Sequence, residues 1–207
     1  MGKFPHNIVF GAGIRSKERM GMKVGFDRNI GGDFLPDGTF QIDSPLGYWV
    51  QDGDIMTELF AWSRRMSDLS SKIGDMPVYV TYSTFAGKVV VAKDFITDFN
   101  SVKFRLLWVF FSPWETKRPP IPHDGICRML NWLFANGHIT REEYARWRKM
   151  ADRLFLESMV YAEPAISNWK RYGAYYAVRS FGRFTWMAKR APKPIKALKH
   201  GLGRKPR

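Results

Sequence analysis

The sequence has a single cysteine, no long apolar run and no acidic residue after Glu163. One cysteine excludes an internal disulfide and any zinc site built from several cysteines of this chain. This composition fits synthesis in a reducing cytoplasm. The longest apolar run, residues 106–111, is far shorter than the roughly 18–20 residues that a membrane span needs. The sequence therefore predicts no membrane span.

The missing acids make the charge distribution uneven. The net charge is +14, and residues 164–207 carry twelve Lys and Arg, so the preceding residues carry only +2 (21 basic against 19 acidic). Residues 183–207 are predicted to form a basic flexible tail, because three prolines and many charges cannot bury a core. Such a tail suits DNA or an acidic protein surface, and the alternative is a solubilising extension. The predicted polyanion-binding residues are Lys189, Arg190, Lys193, Lys196, Lys199, Arg204, Lys205 and Arg207.

The N-terminal part of the chain is rich in glycine. Residues 1–53 hold ten of the eighteen glycines, with isolated aromatic residues between turn-forming stretches such as GGDFLPDG. Glycine favours turns over long helices and strands. We therefore predict an extended arm or a loop-rich lobe over residues 1–53.

The core domain is predicted over residues 54–182. A helix is expected at 55–73, with Asp54 as its N-cap, because apolar residues recur at steps of three and four. The segments VYVTYSTF (78–85) and KVVVAKDFI (88–96) are rich in β-branched residues and flank Ala86-Gly87. They predict a β-hairpin.

Mainly helical structure is expected after the hairpin. A short helix or turn is predicted at 101–111, followed by an extended proline linker at 116–122. Helices are predicted at 123–137 and 167–181, the last ended by Gly182. Another helix begins at a capping box formed by Thr140 and Glu143. The predicted fold class is therefore α+β, a mainly helical single domain with a β-hairpin, an N-terminal arm and a C-terminal tail.

Several short motifs occur in a characteristic order. FITDFNSV is followed by a proline-rich gap, by His123-Asp124 at a helix start, by ADRLFLESM and by YYAVRSFG. This order resembles a bacteriophage domain-of-unknown-function family (number thirteen fifty-three) over roughly residues 78–182. Lys103 stands where that family usually has proline. The resemblance implies a bacteriophage origin and supplies no established reaction or catalytic residue.

Polar residues from three separate segments could meet in this core. Asp98, His123, Asp124 and Asp152 would lie close together if the helices that begin near residues 101 and 123 pack together. A histidine with several carboxylates can bind a divalent metal, which could activate water for hydrolysis. Asp98, His123 and Asp124 are then the candidate catalytic residues, and Asp152 completes the candidate metal ligands.

The structural alternative explains the same residues without chemistry. Asp98 and Asp124 could cap helix N-termini, where a side-chain oxygen accepts backbone N–H groups. His123 and Asp152 could form a buried pair that holds helices together. A Cys127–His123 nucleophile pair at helical spacing is a further alternative, although a lone cysteine among apolar residues is more often a core residue.

Aromatic residues cluster upstream of the basic tail: Trp169, Tyr172, Tyr175, Tyr176 and Phe184. Their helical spacing favours a core role, and base stacking is the alternative.

Three functional classes follow from the sequence. The leading hypothesis is a bacteriophage structural protein, located in the virion or tail, that acts through assembly contacts with other virion proteins. The second is a metal-dependent hydrolase of cell-wall or nucleic-acid substrates, and no other cofactor is predicted. The third is a non-specific nucleic-acid-binding accessory protein that uses the tail.

Overall fold

The computed structural model describes residues 18–19, 22–27, 31–36, 39–97, 118–162 and 165–188. Within these ranges the fold is α+β, as predicted. The strands are β1 (Glu18–Arg19), β2 (Met22–Lys23), β3 (Gly25–Phe26), β4 (Gly32–Phe34), β5 (Phe40–Ile42), β6 (Leu46–Trp49), β7 (Val80–Ser83), β8 (Lys88–Val91) and β9 (Ile96–Thr97). The helices are α1 (Gly53–Lys72), α2 (Pro120–Ala135), α3 (Arg141–Val160) and α4 (Asn168–Ala188).

The largest sheet has four antiparallel strands in the order β3-β6-β8-β7. Strand β8 pairs with β7 on one side and with β6 on the other, so Val91 lies opposite both Val80 and Leu46. A second sheet has the order β4-β5-β9, and β1 pairs with β2. The predicted hairpin is therefore confirmed as β7 and β8. Strand β6, from the glycine-rich segment, pairs with the free side of β8.

The glycine-rich segment 1–53 packs into the core over its second half. Ile42, Leu46 and Tyr48 are buried in the same core cluster as the hairpin. Along β5, buried residues alternate with a more exposed one, as a sheet with one covered face requires. The division of the chain at residue 53 stays a prediction, but residues 40–50 do not lie apart from the core.

Helix α1 confirms the predicted apolar stripe and corrects its predicted cap. The buried residues are Ile55, Leu59, Trp62, Met66 and Leu69. The N-cap is Asp52, not Asp54, because the Asp52 carboxylate accepts the backbone N–H groups of residues 54 and 55 at 2.9 and 3.1 Å. Asp54 lies within the first turn instead.

Helix α2 begins earlier than the sequence predicted. Residues 120–122 belong to the helix, so the predicted extended linker is wrong there. Proline at the first helical position needs no N–H partner and already has a helical φ, which explains the early start. The helix ends near Asn136 and Gly137, as predicted, and Gly137 has a φ of 72°.

The last two helices were predicted with different success. The capping box of α3 is confirmed, since the side chain of Thr140 accepts the backbone N–H of Glu143 and the side chain of Glu143 accepts the backbone N–H of Thr140. Helix α4 continues through Gly182 to Ala188, so the predicted stop at Gly182 is wrong. One glycine inside a helix costs only about 1 kcal/mol. The predicted helix at 101–111 lies outside the described residues.

The helices cover the four-stranded sheet and each other. Helix α2 packs against α3, β7 and β8, and α1 packs against α3 and β7. Helix α4 lies against α3. Over the described ranges, the helices are all too short or too polar to cross a membrane.

Candidate functional site

The first turns of α2 place three chemically active side chains together. His123, Asp124 and Cys127 lie in its sequence PIPHDGIC, with His123 and Cys127 one turn apart. His123 and Cys127 are buried. Asp124 lies inside the helix and is not an N-cap, so the predicted capping role of Asp124 is wrong. The helix begins four residues earlier, at Pro120.

Asp152 of α3 meets His123 across the helix interface. Its carboxylate lies 3.1 Å from His123 Nε2, and both side chains are more than nine-tenths buried. The Nε of Arg148, one turn before Asp152 in α3, donates to the same carboxylate oxygen at 3.3 Å. The buried aspartate therefore bridges two cationic groups from two helices.

Asp124 connects the same cluster to the sheet. The hydroxyl of Thr97, at the end of β9, donates to its carboxylate at 2.7 Å, and His123 Nδ1 lies 3.5 Å from its other oxygen. Arg128 strengthens this connection, because its guanidinium donates to the backbone carbonyl of Ile96. Three segments, β9, α2 and α3, thus meet around one imidazole ring.

The surroundings of His123 favour its charged form. Burial lowers its pKa, but the Cys127 sulfur and hydrogen bonds to Asp124 and Asp152 outweigh burial and raise that pKa well above the usual value. A protonated ring donates from both nitrogens, which matches a carboxylate on each side. We name this set, Thr97, His123, Asp124, Arg148 and Asp152, the histidine cluster.

The histidine cluster has the composition of a buried brace. Two cationic and two anionic side chains compensate one another, which buried charges require. Cys127 Sγ lies 3.5 Å from His123 Nε2. That nitrogen also contacts Asp152 at 3.1 Å, so the carboxylate and the sulfur share one ring nitrogen.

A protein-family model described as "Protein of unknown function (DUF1353)" matches residues 76–178. Over these residues the chain belongs to the DUF1353 family. The match includes the hairpin, the whole histidine cluster and the first half of α4. No curated protein and no solved structure matches the chain.

The DUF1353 segment also contains all four predicted catalytic and metal-binding residues. The structure brings His123, Asp124 and Asp152 together, whereas Asp98 lies outside the described residues. Within the described ranges, no group of three or more His, Cys, Asp and Glu side chains is arranged to hold a metal ion. The metal and catalytic roles stay predictions, as does polyanion binding by residues 189–207, which are also outside the described residues.

A further, partly buried carboxylate in the DUF1353 segment was not predicted from the sequence. Glu157 of α3 accepts from the Tyr48 hydroxyl at 2.8 Å and from the backbone N–H groups of Gln51 and Asp52 at 2.7 and 3.2 Å. Burial raises the pKa of Glu157 against the opposing effect of these hydrogen bonds. Its position could have been noticed, because it falls about one turn after Leu154 on the apolar side of the helix.

The aromatic residues of α4 overturn another expectation. Trp169, Tyr172 and Tyr176 are exposed by 59%, 36% and 55%, so the predicted core role is wrong for them. The buried side of the helix consists of small residues, Ala174 and Ala177. Tyr175 is half-buried, and the side chain of Phe184 lies outside the described residues. We name Trp169, Tyr172 and Tyr176 the aromatic face of α4.

Proposed function

We propose that the protein is a structural component of a bacteriophage particle, associated with the virion or its tail, that acts through contacts with neighbouring subunits. The observation that carries the proposal is Phe85. This side chain is fully exposed at the tip of the β7–β8 hairpin. A phenylalanine buried on a partner gains about 1.5–3 kcal/mol relative to water, so the tip is suited to insertion into a neighbouring subunit.

A second apolar residue supports contacts at another surface. Phe34 is 58% exposed on β4, the strand at the edge of the three-stranded sheet within the described residues. Edge strands and exposed aromatic residues are frequent contact points between subunits. The bacteriophage origin implied by the resemblance in the sequence agrees with such a role.

The histidine cluster favours a structural role over hydrolysis. Its carboxylates already bind His123, Arg148 and Thr97. A hydrolase would instead direct such groups toward a substrate or a metal. The hydrolase that would use Asp98, His123, Asp124 and Asp152 stays a prediction.

The test is the detection and quantification of the chain in purified particles by mass spectrometry. We expect the wild-type chain at a fixed copy number per particle and a several-fold lower amount of Phe85→Ser. Phe60→Ser is the matched control, because Phe60 is also exposed but lies on α1. Absence of the wild-type chain from particles overturns the proposal, and equal incorporation of both variants excludes the hairpin tip as the contact.

A further inference from the structure

We infer that the aromatic face of α4 binds single-stranded nucleic acid by stacking its rings on the bases. The inference is independent of a place in the virion, since it concerns a different surface from the hairpin tip. It differs from polyanion binding by the tail, because it is carried by described residues of a folded helix.

The spacing of the aromatic face suits successive bases. Residues 169, 172 and 176 are three and four positions apart, so they share one side of the helix. At a rise of 1.5 Å per residue, the rings are offset by about 4.5 and 6 Å along the axis. These offsets lie between the separation of stacked bases and that of an extended single strand. Each ring of the aromatic face can therefore stack on one base of the strand.

The helix holds this face outward. Ala174 and Ala177 are buried on its other side, where α4 packs against α3. Burying an alanine face brings the two helices close, so the large rings cannot rotate inward without opening that contact. The exposure of the aromatic face is thus fixed by packing.

The charged residues of α4 are all basic. No Asp or Glu occurs anywhere in residues 164–207. Lys170 and Arg171 follow Trp169 directly, and the Arg179 guanidinium lies 5.6 Å from the Tyr175 ring centroid while donating to its hydroxyl. Aromatic rings among cations without acids match a ligand that combines flat bases with phosphates.

A shallow cleft between α3 and α4 adjoins the face. Leu156 and Val160 form its apolar floor, and Asn168, Arg171 and Tyr172 form its rim. Arg171 donates to the side-chain oxygen of Asn168. The cleft therefore places the Arg171 side chain beside Tyr172, at the edge of the aromatic face.

Single strands are favoured over duplex by this chemistry. In a duplex the base faces are covered by their neighbours, and no helix-turn-helix or other base-reading module occurs in the described fold. An acidic protein surface would match the cations but supplies no flat groups on which the three rings could stack.

The experiment measures binding of a fluorescent deoxythymidine 20-mer to the full chain by anisotropy at several salt concentrations. We expect Tyr172→Ala/Tyr176→Ala to bind about 30-fold more weakly or worse, as the loss of two stacking contacts predicts. Tyr172→Phe/Tyr176→Phe keeps the rings and should keep the affinity. Phe60→Ala is the control for an exposed aromatic residue elsewhere, because Phe60 lies on α1.

The salt dependence separates stacking from charge. The tyrosine-to-alanine variant should keep the wild-type slope of log affinity against log salt, whereas Arg171→Gln should reduce its magnitude by about 0.7. Equal affinity of the alanine and wild-type chains overturns the inference. So does equal affinity for a duplex of the same length, or tighter binding of polyglutamate, which would indicate an acidic protein partner. Circular dichroism verifies that each variant is folded.

Discussion

At the scale of single residues, His123 shows how a polar side chain can be accommodated in the core. The ring lies between the carboxylates of Asp124 and Asp152, and Arg148 offsets the charge of the second. Removing one partner from such a cluster leaves an uncompensated buried charge, which costs about 3–5 kcal/mol. The cluster therefore stabilises the meeting of β9, α2 and α3 as a unit.

The raised pKa of His123 predicts a particular dependence of stability on pH. The folded protein binds the imidazole proton more tightly than the unfolded chain does. The resulting stabilisation is fully present below the unfolded pKa of about 6.5 and is lost as pH rises through the folded pKa. Urea unfolding across this range should show the unfolding free energy falling with rising pH.

Two variants make this measurement specific. Asp152→Asn removes one carboxylate, so the decline should move to lower pH. His138→Gln is the control, because His138 is partly exposed and stacks on Trp132. It should keep the wild-type profile. A profile for Asp152→Asn that coincides with wild type would contradict the assignment.

At the scale of elements, Gly125 allows α2 to lie close to the sheet. A Cβ at this position would come within 2.4 Å of Val80 Cγ2. Val80 is buried in β7, so it has no space to move aside. Glycine in a helix interior is otherwise unfavourable, and here the close approach accounts for it.

Gly125→Ala should therefore destabilise the protein by about 1–3 kcal/mol through overpacking, measured by urea unfolding. Gly53→Ala is the matched control, because Gly53 is also helical and no atom lies within 4 Å of the position that an added methyl group would take. That variant should be neutral or slightly stabilised. The double variant with Val80→Ala should lose less than the sum of the single effects, and strict additivity would argue against the contact.

The elements also show which features a sequence can reveal. The hairpin and α1 could be predicted because their apolar residues follow clear periods of two and 3.6. Strands β3 to β6 have only two to four residues each, among glycines. Strands this short are defined by their partners, so no local period indicates them.

The candidate site was predictable to a similar degree. The types of residue in the histidine cluster were evident, but the contact between His123 and Asp152 depends on how α2 packs on α3. In α4 the pattern was misleading, because the buried face is made of Ala174 and Ala177. Large aromatic residues dominate hydrophobic patterns even when smaller neighbours form the packed side.

At the scale of the whole molecule, the DUF1353 segment does not include every element of the core. Residues 76–178 contain the hairpin, the whole of α2 and α3 and the first half of α4, but β6 and α1 precede them. Leu46 and Tyr48 of β6, and Leu59 and Trp62 of α1, are buried in the same cluster as the hairpin. The family segment depends on the preceding part of the chain for its packing.

Residues 76–178 expressed alone should therefore lack a cooperative unfolding transition in urea. The open edge of β8 and the uncovered side of α3 should also make this fragment bind a hydrophobic dye. A fragment of residues 39–178, which restores β5, β6 and α1, is the control and should unfold cooperatively. Cooperative unfolding of the shorter fragment would contradict the dependence on β6 and α1.

The pairing of β6 with β8 also bears on synthesis. Leu46 cannot pair in the sheet until its partner, Val91, has been synthesised. At 5–20 residues per second, the ribosome needs roughly 2 to 9 seconds to translate from one position to the other. During that interval the nascent chain carries an apolar strand with no hairpin to join. Slowing translation between these two positions lengthens the exposure, so the yield of native protein is sensitive to codon choice there and to chaperones that shield the waiting strand.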